Sequence, residues 1–218
     1  MNFVEFIKTL LRKSPLKRSN LNPHKDLEAI KEAHSRCYSD NSMDYETFYN
    51  DLDYVSPGIH LKNYYDKCIE LLNQNELWLD VGCGSGNILK NAISEKSIEL
   101  HGMDVVKKSV NNAIDNGIDC IQNSATKKYP YEDCTFHLVT ATDVLEHLHK
   151  NDVSFALIEI YRVLKKDHYA MLAPSTKPDM TGYFHLTVEN KDWWISQCNK
   201  VGFTFIEFIG EYGIIFKK

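Results

Sequence analysis

The sequence predicts an α/β fold, a mostly parallel sheet with helices on both faces. Three observations carry this. From residue 76 onward, short apolar runs alternate with amphipathic stretches at helical spacing, the pattern of parallel strands joined by crossover helices. The chain then ends in two β-rich runs split by Gly210-Glu211, which read as a hairpin. One apolar run, Trp78-Leu-Asp-Val81, passes straight into Gly82, Gly84 and Gly86 at alternate positions, the mark of a tight turn between a strand and a helix.

The elements follow in order. Strands are predicted near 76–82, 99–105, 119–123, 136–142 and 168–174, with the hairpin runs at 203–209 and 212–216. Helices are predicted near 87–97, 107–116, 152–165 and 191–201. Ahead of them, residues 1–25 form a basic arm. Phe3, Val4, Phe6, Ile7, Leu10 and Leu11 fall at helical spacing up to Pro15, and Lys8, Arg12, Lys13, Lys17, Arg18 and Lys25 face the single acid Glu5. Such a helix packs on its own domain or a second subunit, or makes weak peripheral contact with an anionic membrane surface. Residues 26–74 read as a polar, helical cap segment carrying Tyr38, Tyr45, Tyr49, Tyr54, Tyr64 and Tyr65, and 75–218 as the main domain.

With 218 residues and 43% hydrophobic side chains the chain can bury a core. A net charge of −5 gives no footprint for nucleic acid over the whole molecule. The six cysteines are scattered without a C-x-x-C pair, which points to a reduced, cytoplasmic protein. No run reaches the ~18 apolar residues of a membrane span, and Glu5 and Lys8 interrupt any signal-peptide core.

The glycine turn carries the most chemistry. Its backbone N–H groups stand at a predicted helix N-terminus, a seat for a carboxylate. The spacing is not the dinucleotide fingerprint, because the third glycine comes one residue early. Asp80 beside the turn repels a pyrophosphate but welcomes an ammonium group. A ligand with an amino-acid end and a nucleoside end fits.

The pattern Asp80-x-Gly82-x-Gly84-x-Gly86 resembles the first motif of class I S-adenosylmethionine-dependent methyltransferases. Asp104 at the end of the next strand, the run Leu-Val-Thr-Ala-Thr-Asp-Val-Leu-Glu-His-Leu over 138–148, and Arg162-Val-Leu-Lys165 with Pro174 beyond it extend the resemblance over roughly residues 75–217. It implies a Rossmann-like, seven-stranded, mostly parallel sheet with an antiparallel C-terminal hairpin strand, behind an N-terminal helical cap. It also implies S-adenosylmethionine as cofactor. Asp80, Gly82, Cys83, Gly84 and Gly86 are then expected around the methionine end, and Asp104 with Val105 at the ribose. Ser124 and Ala125 fall at the adenine, and Thr142 near the sulfonium. Bulk at Cys83 is expected to be tolerated. The chain departs from the family at Ser124, where an acid is usual, and at His137, where Phe-Asp-Leu is common.

Asp143, Glu146 and His147, at i, i+3 and i+4, would face one way on a helical turn beside the methyl group. His185 and Glu189 follow later. His147 is read as a general base, a metal ligand or a buried structural histidine, and His185 as a pocket residue that shares the catalytic end. Asp143, Glu146, His147 and His185 resemble the set that two metal-using methyltransferase groups place here, with Asp143 for their glutamate. A divalent metal is therefore left open rather than predicted. Trp193 and Trp194 open the last helix; Trp194 is expected in the core, and either could edge the substrate site. The reading overall is O-methylation of a small molecule or sugar by a monomer or homodimer. Metal-assisted methylation of an RNA ribose 2′-hydroxyl and a cofactor-binding but inactive partner subunit are the alternatives.

Overall fold

The computed structural model describes residues 23–39, 42–51, 62–90, 97–179 and 182–218. The amphipathic arm expected over 2–13 lies outside them, as does Tyr54. The elements are α1 (Pro23–Cys37), β1 (Tyr38–Ser39), β2 (Ser42–Met43), α2 (Tyr45–Asp51), α3 (Lys62–Leu71), β3 (Leu77–Val81), α4 (Asn87–Lys90), β4 (Glu99–Asp104), α5 (Lys107–Asp115), β5 (Asp119–Gln122), β6 (Phe136–Thr142), a 3-10 turn (Leu145–His147), α6 (Lys150–Val163), β7 (Leu164–Ala173), α7 (Lys191–Val201), β8 (Thr204–Ile209) and β9 (Gly213–Lys217). No helix among the described residues is long and apolar enough to cross a membrane.

One seven-stranded sheet runs β5-β4-β3-β6-β7-β9-β8. Strands β3 to β7 are parallel; β9 is antiparallel to both β7 and β8. The central strands are apolar on both faces because both are covered. Trp78, Leu79 and Val81 of β3 and Leu138, Val139 and Ala141 of β6 are fully buried. After β3 the chain builds outward to β5, then returns to β3's other side to lay down β6. The strand order reverses there, and a crevice opens at the carboxyl ends of β3, β4 and β6.

Two boundaries differ from the sequence reading. Helix α4 spans only Asn87–Lys90 among the described residues. Helix α6 stops at Val163 and β7 begins at once, four residues earlier than expected. The stop is tertiary. Cys134 and Thr135 donate to the carbonyls of Arg162 and Val163, and the Lys218 ammonium takes those of Tyr161 and Leu164, each at 2.7 Å. No glycine or proline announces it. Asp167 at φ 64° then turns the strand out of its first register.

One departure from the family and one cap tyrosine have local explanations. His137 accepts the Leu77 N–H through Nδ1 at 3.0 Å, tying the start of β3 to β6. Tyr64, in the cap segment, is buried far from the crevice and accepts the N–H groups of Tyr212 and Gly213, both at 3.0 Å. A β-carbon on Gly213 would lie 2.1 Å from its ring. Tyr64→Phe leaves two donors at the β8–β9 turn without a partner, at about 1–3 kcal/mol for a buried one. The expected loss is about 2 kcal/mol, seen as a melting temperature lower by roughly 4–8 °C.

Candidate functional site

Three glycines at positive φ make the turn after β3: Gly82 at 69°, Gly84 at 55° and Gly86 at 74°. Gly82 and Cys83 both donate to the Met103 carbonyl, at 2.7 and 3.1 Å. Asp104, at the end of β4, accepts the Gly84 N–H at 2.9 Å on one oxygen and the Val106 N–H at 2.8 Å on the other. Its carboxylate therefore braces the turn and the start of α5, and each oxygen keeps a lone pair for a ligand. Burial raises its pKa, against these N–H groups.

The remaining turn residues face away from the crevice. The expectation that bulk is tolerated at Cys83 is corrected here. Its side chain fills the space left by Gly102, where a β-carbon would lie 2.7 Å from the sulfur, and its Sγ sits 3.5 Å from that of Cys120. Gly86 is needed for packing, since a β-carbon would lie 2.9 Å from Ile118. Asp80 is buried behind the turn. Its Oδ1 accepts the Thr140 hydroxyl at 2.6 Å, and that hydroxyl accepts the Trp78 indole N–H at 2.9 Å. Burial pushes the Asp80 carboxyl up to about 7.

A cavity runs along the crevice. Gly82, Asp104, Val105, Val106, Ser109, Asn123, Ser124 and Ala125 line one end; Asp143, Val144, His147, Leu148, Tyr45 and Tyr49 line the other. Ser124 is buried with its hydroxyl 2.9 Å from that of Thr126, and its carbonyl accepts the Lys127 N–H. Thr142 lies beneath, with a buried hydroxyl that has no partner among the described residues. Ser109, Asn123 and Val144 were missed by sequence reasoning. Ser109 and Asn123 lie close to the Asp104 and Ser124 signals, whereas nothing in the sequence marks Val144.

The second end gathers four titratable side chains. Asp143, Glu146 and His147 do not share one helical turn as expected. Leu145–His147 is a 3-10 turn, and Asp143 stands before it at φ 56°, a left-handed backbone uncommon outside glycine. That twist aims its carboxylate back at His147, with 3.9 Å between Oδ1 and Nε2. Glu146 is fully buried; Oε1 accepts the Ser175 N–H at 2.6 Å, and Oε2 is buried with no hydrogen-bond partner in reach among the described residues. Burial raises its carboxyl to about 7. The Nδ1 of His147 lies 3.1 Å from the Tyr49 hydroxyl, supplied by the cap. Burial opposes a charge on His147, but Asp143, Glu146 and Asp179 outweigh it and its pKa rises.

His185 joins them with its ring 5.0 Å from that of His147. Asp179 fixes this loop by accepting the N–H groups of Gly182, Phe184 and His185. Glu189 is elsewhere, paired with Lys150. Trp194 is buried in the core and Trp193 packs edge-on against it. The cap closes over this end: Phe48 meets Phe184 at 5.4 Å, and the Tyr45 hydroxyl accepts the His149 N–H.

The site is thus a strand–glycine turn–helix with an acid at the next strand end, opening on a cavity at the topological switch point. The model of the methyltransferase domain family matches residues 79–172. That stretch, from β3 to β7, is what the chain shares with the family. A stretch of 103 residues is 28% identical to the mitochondrial arginine-hydroxylase NDUFAF5 of Mus musculus, covering 47% of this chain and 29% of that protein. The chain thus spans under a third of the length of that relative. A Methanococcus maripaludis protein described as an S-adenosylmethionine-dependent methyltransferase superposes with a TM-score of 0.62 at 17% identity, over 83% of this chain and 97% of that one. Haemonchus contortus phosphoethanolamine N-methyltransferase 2, in complex with phosphomonomethylethanolamine and S-adenosylhomocysteine, gives 0.58 at 20% identity, over 69% of this chain and 38% of that one. At these identities the structural likeness speaks for the fold.

Proposed function

We propose that this chain transfers the methyl group of S-adenosylmethionine to an oxygen of a small molecule or sugar. The observation that carries the reading is the single cavity joining Asp104 and Ser124 at one end to Asp143 and His147 at the other. Asp104 accepts from the ribose hydroxyls with its remaining lone pairs. Ser124 and Ala125 face the adenine. Gly82 lets the backbone approach the methionine part, whose ammonium group meets the negative field of Asp80. Placed so, the sulfonium points its methyl toward the polar cluster.

A sulfonium is a good leaving group, so the site's first task is alignment and exclusion of water. The acceptor oxygen attacks the methyl carbon, the C–S electrons return to sulfur, and S-adenosylhomocysteine forms. The acceptor's proton is drawn off at the cluster of acids and imidazoles. Tyr45 and Tyr49 wall this end and favour an acceptor with an apolar face.

The test is calorimetry with S-adenosylhomocysteine, followed by a screen of hydroxyl and amine compounds that reads its release from S-adenosylmethionine. The readout must be this product, because a relative is named a hydroxylase and fold alone does not fix the reaction. Asp104→Ala removes hydrogen bonds to a charged group worth about 1.5–3 kcal/mol, so binding should weaken roughly 10–100-fold, with Asp104→Asn between it and the parent. Binding of NAD instead, with S-adenosylhomocysteine ignored, would overturn the assignment.

A further inference from the structure

We infer that Cys83 and Cys120 form an oxidation site, and that joining their sulfurs in a disulfide draws the glycine turn out of place and weakens cofactor binding. Cys83 stands between Gly82 and Gly84 in the turn, and its N–H donates to the Met103 carbonyl. Cys120 lies in the edge strand β5, directly opposite Gly102 in the β4–β5 register. The two side chains converge over Gly102. A β-carbon there would lie 2.7 Å from the Cys83 sulfur and 3.3 Å from that of Cys120. A glycine inside a strand gives nothing to pack and often marks a close approach. Here it leaves the space in which the two sulfurs meet at 3.5 Å. Both residues are buried, in one core layer with Val110, Ala113 and Ile118.

The chemistry needs an oxidant of the peroxide class. With hydrogen peroxide, a thiolate of the pair attacks one peroxide oxygen, the O–O bond breaks, and the other oxygen leaves as hydroxide, which takes up a proton to become water. The second thiol then attacks that sulfur, the S–S bond forms, and the S–OH oxygen leaves as a second water. The sulfur pair loses two electrons and the peroxide gains them. The hydrogen bond with Cys120, then burial, hold the Cys83 thiol well above its ordinary range. Its thiolate is therefore scarce, and oxidation is slow until the turn opens. A bound cofactor, by holding the turn closed, protects the pair.

The coupling to the cofactor is mechanical. An S–S bond is about 2.0 Å long, so the sulfurs must close by roughly 1.5 Å. Cys120 is fixed in the ladder with β4, whereas the turn is held by the N–H groups of Gly82, Cys83 and Gly84. The turn yields. The Gly84 N–H then leaves Asp104, whose two oxygens brace the turn and the start of α5. The backbone cradle and the ribose acceptor are disturbed together.

The inference rests on the cofactor reading of the turn, and its test separates the two. The full chain is reduced, freed of reductant and treated with hydrogen peroxide. Proteolysis without reductant and mass spectrometry should find a peptide pair joined through Cys83 and Cys120 and lighter by two hydrogens. S-adenosylhomocysteine should bind the oxidised chain about 10-fold more weakly, the scale of one hydrogen bond to a charged group, and dithiothreitol should restore it. By linkage, saturating S-adenosylhomocysteine should raise the pair's reduction potential in glutathione buffers by about 30 mV, the equivalent of tenfold for two electrons. Cys120→Ser should bind as the reduced parent does and ignore peroxide, with Cys120→Ala in its place if a thermal melt shows the serine variant unfolded. A folded chain that yields no joined pair, a joined chain of unchanged affinity, or an affinity loss that persists in the Cys120 variant overturns the inference and leaves cofactor binding standing. A chain that ignores S-adenosylhomocysteine even when reduced sinks the methyl-transfer reading and the coupling with it, whatever the sulfurs do.

Discussion

Gly82→Ala is expected to lower stability by about 3 kcal/mol and to abolish measurable S-adenosylhomocysteine binding. Two separate costs add. The residue sits at φ 69°, where an L side chain costs roughly 1–2 kcal/mol. The new methyl would also lie 2.2 Å from one methyl of Val144 and 3.1 Å from the other, an overpacking worth about 1–3 kcal/mol. Valine is stiff at χ1 and cannot swing clear. Val144 leads directly into the Leu145–His147 turn, so relief of the clash displaces both the cofactor's backbone cradle and His147. The double variant Gly82→Ala/Val144→Ala separates the terms. It should recover the steric part and leave the backbone part, raising the melting temperature part of the way toward that of Val144→Ala alone. A single variant that melts within a degree of the parent would show that the close approach of turn and Val144 carries no weight.

That contact illustrates what the sequence could and could not convey. The sheet was legible because β3, β6 and the second half of β7 are largely apolar runs bounded by polar or glycine punctuation. The glycine turn was legible because three residues that readily take positive φ stand at alternate positions. Val144 was not, since its importance depends on β3 and β6 being neighbours, which adjacency in the chain does not state. The four-residue cluster was half legible. The spacing of Asp143, Glu146 and His147 suggested a shared face for the wrong reason: a helical period stood in for a left-handed residue followed by a 3-10 turn. The hydroxyl of Tyr49 on His147 joins positions 98 residues apart, and nothing distinguished Tyr49 from Tyr64, which serves the hairpin instead. The early end of α6 was hidden because its stop is a lysine at the far end of the chain.

Asp80→Asn should remove a pH dependence that the parent protein shows. Burial raises the Asp80 carboxyl from its ordinary 3.8 to about 7, Asp104 adds to the rise, and the Thr140 hydroxyl opposes it. The folded state therefore holds this proton more tightly than the unfolded chain does. The stabilisation is fully present below about pH 4 and is lost as pH rises through about 7, with a ceiling of roughly 4 kcal/mol. The parent's melting temperature should fall between pH 5 and 8. Asp80→Asn keeps an acceptor for Thr140 and should be flatter, with the residual slope coming from Glu146, which burial also raises to about 7. Cofactor binding runs the other way. An ammonium group near Asp80 favours the carboxylate, so S-adenosylhomocysteine should bind more tightly as pH rises from 5 to 7 and should displace a proton, seen as a binding enthalpy that changes with the buffer. Asp80→Asn should weaken binding about 10–100-fold, as expected for a lost charged partner, and should cancel the proton release. If instead the parent's affinity is level across that range and its enthalpy is the same in every buffer, Asp80 does not sense the ligand's amino group, and its role is confined to the Thr140–Trp78 chain beneath the turn.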